Sequence, residues 1–173
     1  MTIAGLAIWD GLRMFRIVKI SLLQALAAAH VAAAGPVDHI VINKTSRTLV
    51  LLSGNQTVAS YRDIKLGGAP VGPKHFEHDQ KTPEGVYTIN GRNAGSHYHL
   101  SLRISYPNAA DRAYAAKYRR SPGGDIFIHG LPNSYPFPRA PNDWTDGCVA
   151  LTNPEIEKIW ALVQDGTKVT IQP

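Results

Sequence analysis

Residues 37–64, VDHIVINKTSRTLVLLSGNQTVASYRDI, decide the fold class. Val37 to Asn43 and Arg47 to Ser53 are apolar runs rich in β-branched residues, parted by Lys44-Thr45-Ser46, and Ser53-Gly54-Asn55 turns the chain into Gln56 to Ile64. Such runs bounded by turn residues predict three antiparallel strands in a meander. The same punctuation continues downstream. Leu66 to Lys74, with Gly67-Gly68, Pro70 and Gly72-Pro73, reads as a loop, and Thr82-Pro83-Glu84-Gly85 as a tight turn before a strand at Val86 to Asn90. Tyr98 to Ser105 places Tyr98, Leu100, Leu102 and Ile104 on one face of a strand. Asp125 to His129, Val149 to Leu151 and Lys168 to Ile171 supply three more short strands. Asn108 to Arg120 reads as a helix, and Asn153-Pro154 as the cap and first residue of another, with the stripe Ile156, Ile159, Trp160 and Val163 running to Asp165-Gly166. The pattern predicts a mainly β protein, a sandwich or barrel with two peripheral helices.

The composition agrees with one folded domain plus a short appendage. The chain has 173 residues, 44% hydrophobic and 18% charged, with 15 Gly and 12 Pro, which excludes coiled coil, collagen and a polytopic membrane protein. The net charge of +5 is carried by scattered basic residues, of which only Arg119-Arg120 adjoin, so a nucleic-acid partner is not expected. The first 34 residues differ from the rest. Arg13, Arg16 and Lys19 precede an apolar stretch, Ile20 to Ala29, and then the small residues Ala32-Ala33-Ala34. That order predicts a signal peptide over 1–34, cleaved or retained as a membrane anchor, since about ten apolar residues are half of what a spanning helix needs. Residues 35–173 then form the mature domain, exported to the periplasm or cell envelope, where its 15 basic and 12 acidic residues give +3.

Export gives meaning to a cysteine count of one. Secreted domains hold cysteines mostly as paired disulfides, and Cys148 has no partner in the chain. It stands in Trp144-Thr145-Asp146-Gly147-Cys148-Val149-Ala150, where Gly147 permits a sharp turn and the N–H groups of Gly147 and Cys148 are natural donors to an oxyanion. A thiol needs a base, and His129, closing the apolar run Asp125 to Ile128 and followed by Gly130, is the best candidate. Between them Leu131 to Trp144, with Pro132, Pro136, Pro138 and Pro141, is longer than a connection needs and suggests a wall over a groove. On the residues alone, a packed Cys148 with a His129 hydrogen-bonded at a strand end is nearly as good a reading. His75, His78, His97 and His99 show no ligand pattern, so no metal and no cofactor is expected. Lys74 and Arg139 are candidates for meeting substrate carboxylates, and Trp144 for packing under the turn at Cys148.

Ile128-His129-Gly130, followed after the loop by Thr145-Asp146-Gly147-Cys148-Val149, resembles the catalytic motif of the YkuD-type L,D-transpeptidases. Lys81 to Tyr87, Ser105 to Asn108 and Trp144 to Asn153 resemble the YafK-like branch of that family, and the likeness runs from about Val37 to Pro173. The resemblance implies a β-rich sandwich or barrel and acyl transfer on peptidoglycan stem peptides, at a diaminopimelate carbonyl, through a Cys148 thioester with His129 moving the proton. It implies further that Gly147 lines the oxyanion hole with Cys148, and that Asp146, Thr145 and Gly130 shape the substrate site. Two positions depart from the main branch. Asp146 replaces the His before Gly-Cys, and Ala150 an Arg two residues after the cysteine. The same Cys-His pair also suits a hydrolase or amidase that detaches an envelope lipoprotein or trims stem peptides; a peptidoglycan-binding module without turnover is the third reading.

Overall fold

A computed structural model describes residues 35–173; the export segment expected over 1–34 lies outside the described residues. The meander forms as expected: β1 (His39–Asn43), β2 (Thr48–Ser53) and β3 (Gln56–Arg62) pair antiparallel, Ile40 opposite Leu51 and Leu49 opposite Tyr61. Its alternation sets Ile40, Ile42, Leu49 and Leu51 in the core with no exposed surface. The remaining elements are β4 (Gly85–Ser96), β5 (His99–Ile104), α1 (Ala109–Lys117), β6 (Phe127–His129), β7 (Val149–Ala150), α2 (Asn153–Leu162) and β8 (Lys168–Gln172). The strand order is β3-β2-β1-β8-β4-β5-β6-β7. The last strand therefore enters the middle of the sheet, parallel to β1 and antiparallel to β4.

β4 is more than twice as long as the Val86–Asn90 run suggests. Its first part, Gly85 to Thr88, pairs with β8 and its second, from Ile89, with β5, and the pairing with β5 carries register shifts at Ile89/Gly91 and Asn93/Ser96. Bulges of this kind bend a strand and raise its twist, so one strand serves both halves of a curled sheet. The curl is then closed. Beyond β3 the chain runs to Lys65, which exchanges two backbone hydrogen bonds with Ala150 of β7, N–H to carbonyl at 2.9 and 2.8 Å. Thr145 N–H donates to Leu66 C=O at 3.2 Å and Gly68 N–H to Thr145 C=O at 3.0 Å. The segment that follows edge strand β3 is thereby joined to β7 at the other edge, which makes the sheet barrel-like and covers the β7 edge.

Both helices are capped by side chains. Asn108 Oδ1 accepts from Ala110 and Asp111 N–H, and Asp111 reaches back to the Asn108 N–H at 2.9 Å. α1 stops at Lys117 rather than Arg120, because Arg119 takes a left-handed conformation with φ of 53°. In α2 the cap is Thr152, one residue before the expected Asn153, with Glu155 bonding the Thr152 N–H at 2.9 Å. Asn153 instead ties the helix start to the chain beyond β6, where its Oδ1 accepts from Leu131 N–H at 2.9 Å.

The closing segment is pinned from the loop before Cys148. Asp143 accepts from Leu66 N–H at 2.8 Å and from the Arg47 guanidinium at 2.6 Å. Asp143→Ala removes both bonds and leaves the Leu66 N–H unpaired, so it is expected to lower the unfolding free energy by about 2 kcal/mol. Urea titration measures this as a lower midpoint at unchanged slope; an unchanged midpoint contradicts the closure described.

Candidate active site

The turn that carries Cys148 is built by a hydroxyl and a glycine. Thr145 Oγ1 accepts from Gly147 N–H at 3.1 Å and donates to Cys148 C=O at 2.8 Å. Gly147 has φ of +127°, and a Cβ there would sit 2.5 Å from the Lys81 carbonyl oxygen and 3.1 Å from Ile126 Cδ1. Glycine is thus required both by the backbone angle and by the approach of Lys81. The Lys81 to Gly85 motif forms the bed of this turn. Thr82 is wholly buried and its Oγ1 accepts from Gly67 N–H at 3.1 Å, while buried Lys44 binds Thr82 C=O at 3.1 Å and Glu84 Oε1 at 2.7 Å. Because Gly147 N–H is held by Thr145, the Cys148 N–H, with no hydrogen-bond partner among the described residues, is the donor left free at the turn.

His129 arrives on β6, which pairs parallel with β7, Ile128 beside Val149 and His129 beside Ala150. The ring is 3% exposed. Nδ1 lies 2.7 Å from the Gly130 carbonyl oxygen, which can only accept, so Nδ1 carries the proton and Nε2 keeps its lone pair. Gly130 is fixed in turn. Its N–H donates to Tyr98 and Leu100 carbonyls, and a Cβ would fall 2.7 Å from Asn153 Oδ1. Tyr98 lies over the imidazole at 4.6 Å between ring centroids and Trp144 meets it edge-on at 5.6 Å. Neighbours on a strand point to opposite faces, so the strand expected over Tyr98 to Ser105 cannot turn both Tyr98 and His99 to the groove: Tyr98 joins the site, while His99 turns away to bond Glu157 at 2.7 Å.

Burial governs the protonation of both groups. It lowers the His129 imidazole to about 4, against the opposing pull of the Gly130 bond. It raises the Cys148 thiol to about 11, with the Phe127 N–H contact at 3.4 Å pulling down and the Asp146 charge pushing up. The thiol's hydrogen-bond contacts are Phe127 N–H and, at 3.7 Å, Asp125 C=O. At neutral pH the resting pair is a thiol and a neutral imidazole.

His129 and Cys148 line one pocket of about 200 Å³. Its other walls come from the β4–β5 hairpin, including Ser96, Tyr98 and Ser101, and from Phe127. The Pro-rich loop forms a separate hollow of about 400 Å³ with Pro132, Tyr135 and Trp144. The wall that the sequence assigns to the loop is supplied instead by the far end of β4, whose Gly91 to Gly95 stretch carries no strand signal. Asp146 is exposed and lines a third hollow with Lys74 and Glu77, and Ala150 is buried in the closing ladder. Lys74 is itself buried on Asp79 at 2.9 Å, and Arg139 binds Glu155 at 2.7 Å, so neither is free for a substrate carboxylate. The four histidines do not gather: His75 stacks on Tyr114 at 3.9 Å, His78 is exposed, His99 is on Glu157, and only His97 lines the pocket of His129 and Cys148.

A resting thiol well above neutrality stays protonated through the physiological range. The rate constant for alkylation of Cys148 by iodoacetamide is expected to climb about tenfold per pH unit between pH 7 and 9. A plateau below pH 8 would show a thiolate–imidazolium pair and contradict this electrostatic account.

Comparison with known proteins places this geometry. Residues 37–171 match the family model of the YkuD L,D-transpeptidase catalytic domain. The chain is 33% identical over 150 residues to Escherichia coli K12 YafK, which carries an L,D-transpeptidase name, covering 78% of this chain and 53% of that protein. It superposes with a TM-score of 0.64 on the helical cell shape determining protein Pgp2 of Campylobacter jejuni, at 29% identity over 78% of this chain and 47% of that one. An L,D-transpeptidase of Stackebrandtia nassauensis shares the fold at a TM-score of 0.53 and 14% identity, covering 82% and 57%. The chain spans about half the length of YafK and Pgp2. The chain, by the match over nearly all of its described residues, belongs to the YkuD family of L,D-transpeptidase catalytic domains.

Proposed function

We propose that the domain is a cysteine acyltransferase of the cell envelope, acting on peptidoglycan stem peptides through a Cys148 thioester. The observation that carries this reading is the shared pocket of His129 and Cys148, with Nδ1 committed to Gly130 C=O and Nε2 left basic. The cell-shape name of one relative and the L,D-transpeptidase name of another support the substrate class. The donor carbonyl is that of an L-centred diamino acid, meso-diaminopimelate, bearing a terminal D-alanine. On substrate binding His129 Nε2 takes the thiol proton as sulfur attacks, which avoids forming a buried charge pair before it is needed. The Cys148 N–H receives the oxyanion, while Gly147 and Thr145 hold the turn that aims it. The imidazolium then protonates the departing D-alanine amine, and a second amine resolves the thioester by the reverse sequence. Asp146, beside the turn, and Gly130, behind the imidazole, shape the approach of substrate.

Water in place of the second amine gives hydrolysis with the same Cys148 and His129, and that is the second reading. An envelope lipoprotein is then the attached group to be released. No helix among the described residues is long and apolar enough to cross a membrane; attachment through residues 1–34 is part of this proposal.

Product analysis decides the matter. The protein is incubated with tetrapeptide muropeptides and lipoprotein-linked muropeptides together, and products are weighed by mass spectrometry. Dimers or exchanged terminal residues that disappear in Cys148→Ala support the transferase, and cysteine-dependent release without a new amide bond supports the hydrolase. His129→Ala is expected to slow either reaction by about 10²- to 10⁴-fold. Pools unchanged by the wild-type protein contradict acyl transfer on stem peptides.

A further inference from the structure

Ser101 faces His129 across the β5–β6 ladder. Gly130 N–H donates to Leu100 C=O at 3.2 Å, so the ladder bonds flank this pair rather than join it. In an antiparallel sheet such a pair brings its side chains closest, with Cα atoms about 4.5 Å apart on one face. Ser101 is only 4% exposed, and its hydroxyl has no hydrogen-bond partner among the described residues. It is not sealed off: Ser101 lines the same pocket as His129 and Cys148. It shares its face of β5 with Arg103, while Leu102 and Ile104 point to the core on the other face. A hydroxyl without a protein partner that opens on a pocket is free to bond a ligand or water there.

We propose that Ser101 is a positioning residue whose hydroxyl holds the reacting nitrogen or oxygen beside His129. The assignment rests on the acyl-transfer reading above. With Nδ1 committed to Gly130, Nε2 is the position of His129 that is left to exchange a proton in the pocket. In the first half-reaction the C–S bond forms, the thiol proton passes to Nε2 and then to the departing amine, and the C–N bond breaks. In the second, an amine or water gives a proton to Nε2, its C–N or C–O bond forms, the C–S bond breaks and the proton returns to sulfur. The departing and entering groups pass through one place, next to Nε2. An amine or water there directs one hydrogen at Nε2 and has another that needs an acceptor. Ser101 Oγ supplies it, and gains or loses no proton itself.

The test compares Ser101→Ala and Ser101→Thr with the wild-type full chain on a stem tetrapeptide. Ser101→Ala is expected to lower kcat about two- to tenfold, the range for one neutral hydrogen bond, with KM within twofold. Its unfolding midpoint stays the same or rises, since no bond within the protein is lost, and Cys148 alkylation keeps its wild-type rate and pH dependence. Ser101→Thr, which keeps the hydroxyl, restores turnover. Wild-type kcat in Ser101→Ala overturns the assignment alone, as does a loss matched by an equal fall in alkylation rate or by a lower midpoint. Absence of cysteine-dependent turnover in the wild-type protein overturns the acyl-transfer reading and this assignment with it.

Discussion

The two hydrogen bonds between Lys65 and Ala150 are the constraint on which the site depends. β7 is two residues long, and such a strand with one neighbour is marginal. Held between β6 on one side and the Lys65 segment on the other, it becomes a fixed rail, and the turn immediately before it is placed with the same accuracy. The flanking bonds of Thr145 and Gly68, and the carboxylate of Asp143 on Leu66, extend the hold upstream of the turn. Closure of the sheet and placement of Cys148 are therefore one structural event. The core residues packed behind it, Ile64, Leu66, Ile128 and Leu151, are almost without exposed surface, which leaves the rail little room to shift.

The site is prepared by backbone dipoles and burial more than by charge. A carbonyl fixes the imidazole tautomer, an N–H touches the sulfur, and a second N–H stands free at the turn. Lys74, the nearest buried cation, is neutralised by Asp79, and Asp146 disfavours a thiolate. A preformed ion pair would have to be sustained in a poorly solvated pocket. Keeping both partners neutral until a carbonyl arrives places the charge separation where the substrate's oxyanion can share it.

Much of this is legible from residue order. The meander from 37 to 64 shows itself in β-branched runs and turn residues, and the cysteine and histidine stand out because a lone thiol beside glycine and a histidine at a strand end both need explaining. Long-range features leave no local trace. Nothing near Lys168 to Gln172 tells that this strand enters the sheet centre, because that depends on the partner edges. Gly130 C=O and Cys148 N–H are main-chain groups, invisible to side-chain reasoning. The capture of Gly147 N–H by Thr145 depends on a turn angle of which the glycine is the one sign. The hairpin wall escapes a reading by pattern because Gly91 and Gly95 hide a strand whose pairing survives through bulges. Ser101 looks like an ordinary outward residue until the register sets it opposite His129.

Everything proposed for the chemistry turns on a His129 that the backbone holds neutral, with its proton on Nδ1 and Nε2 free. Nitrogen-15 NMR of the imidazole across a pH titration tests this most directly. The expected spectrum is that of an Nδ1–H, Nε2-unprotonated ring that stays neutral from pH 8 down through 6 and protonates only near pH 4. An imidazolium at pH 7, or a proton resident on Nε2, would contradict it.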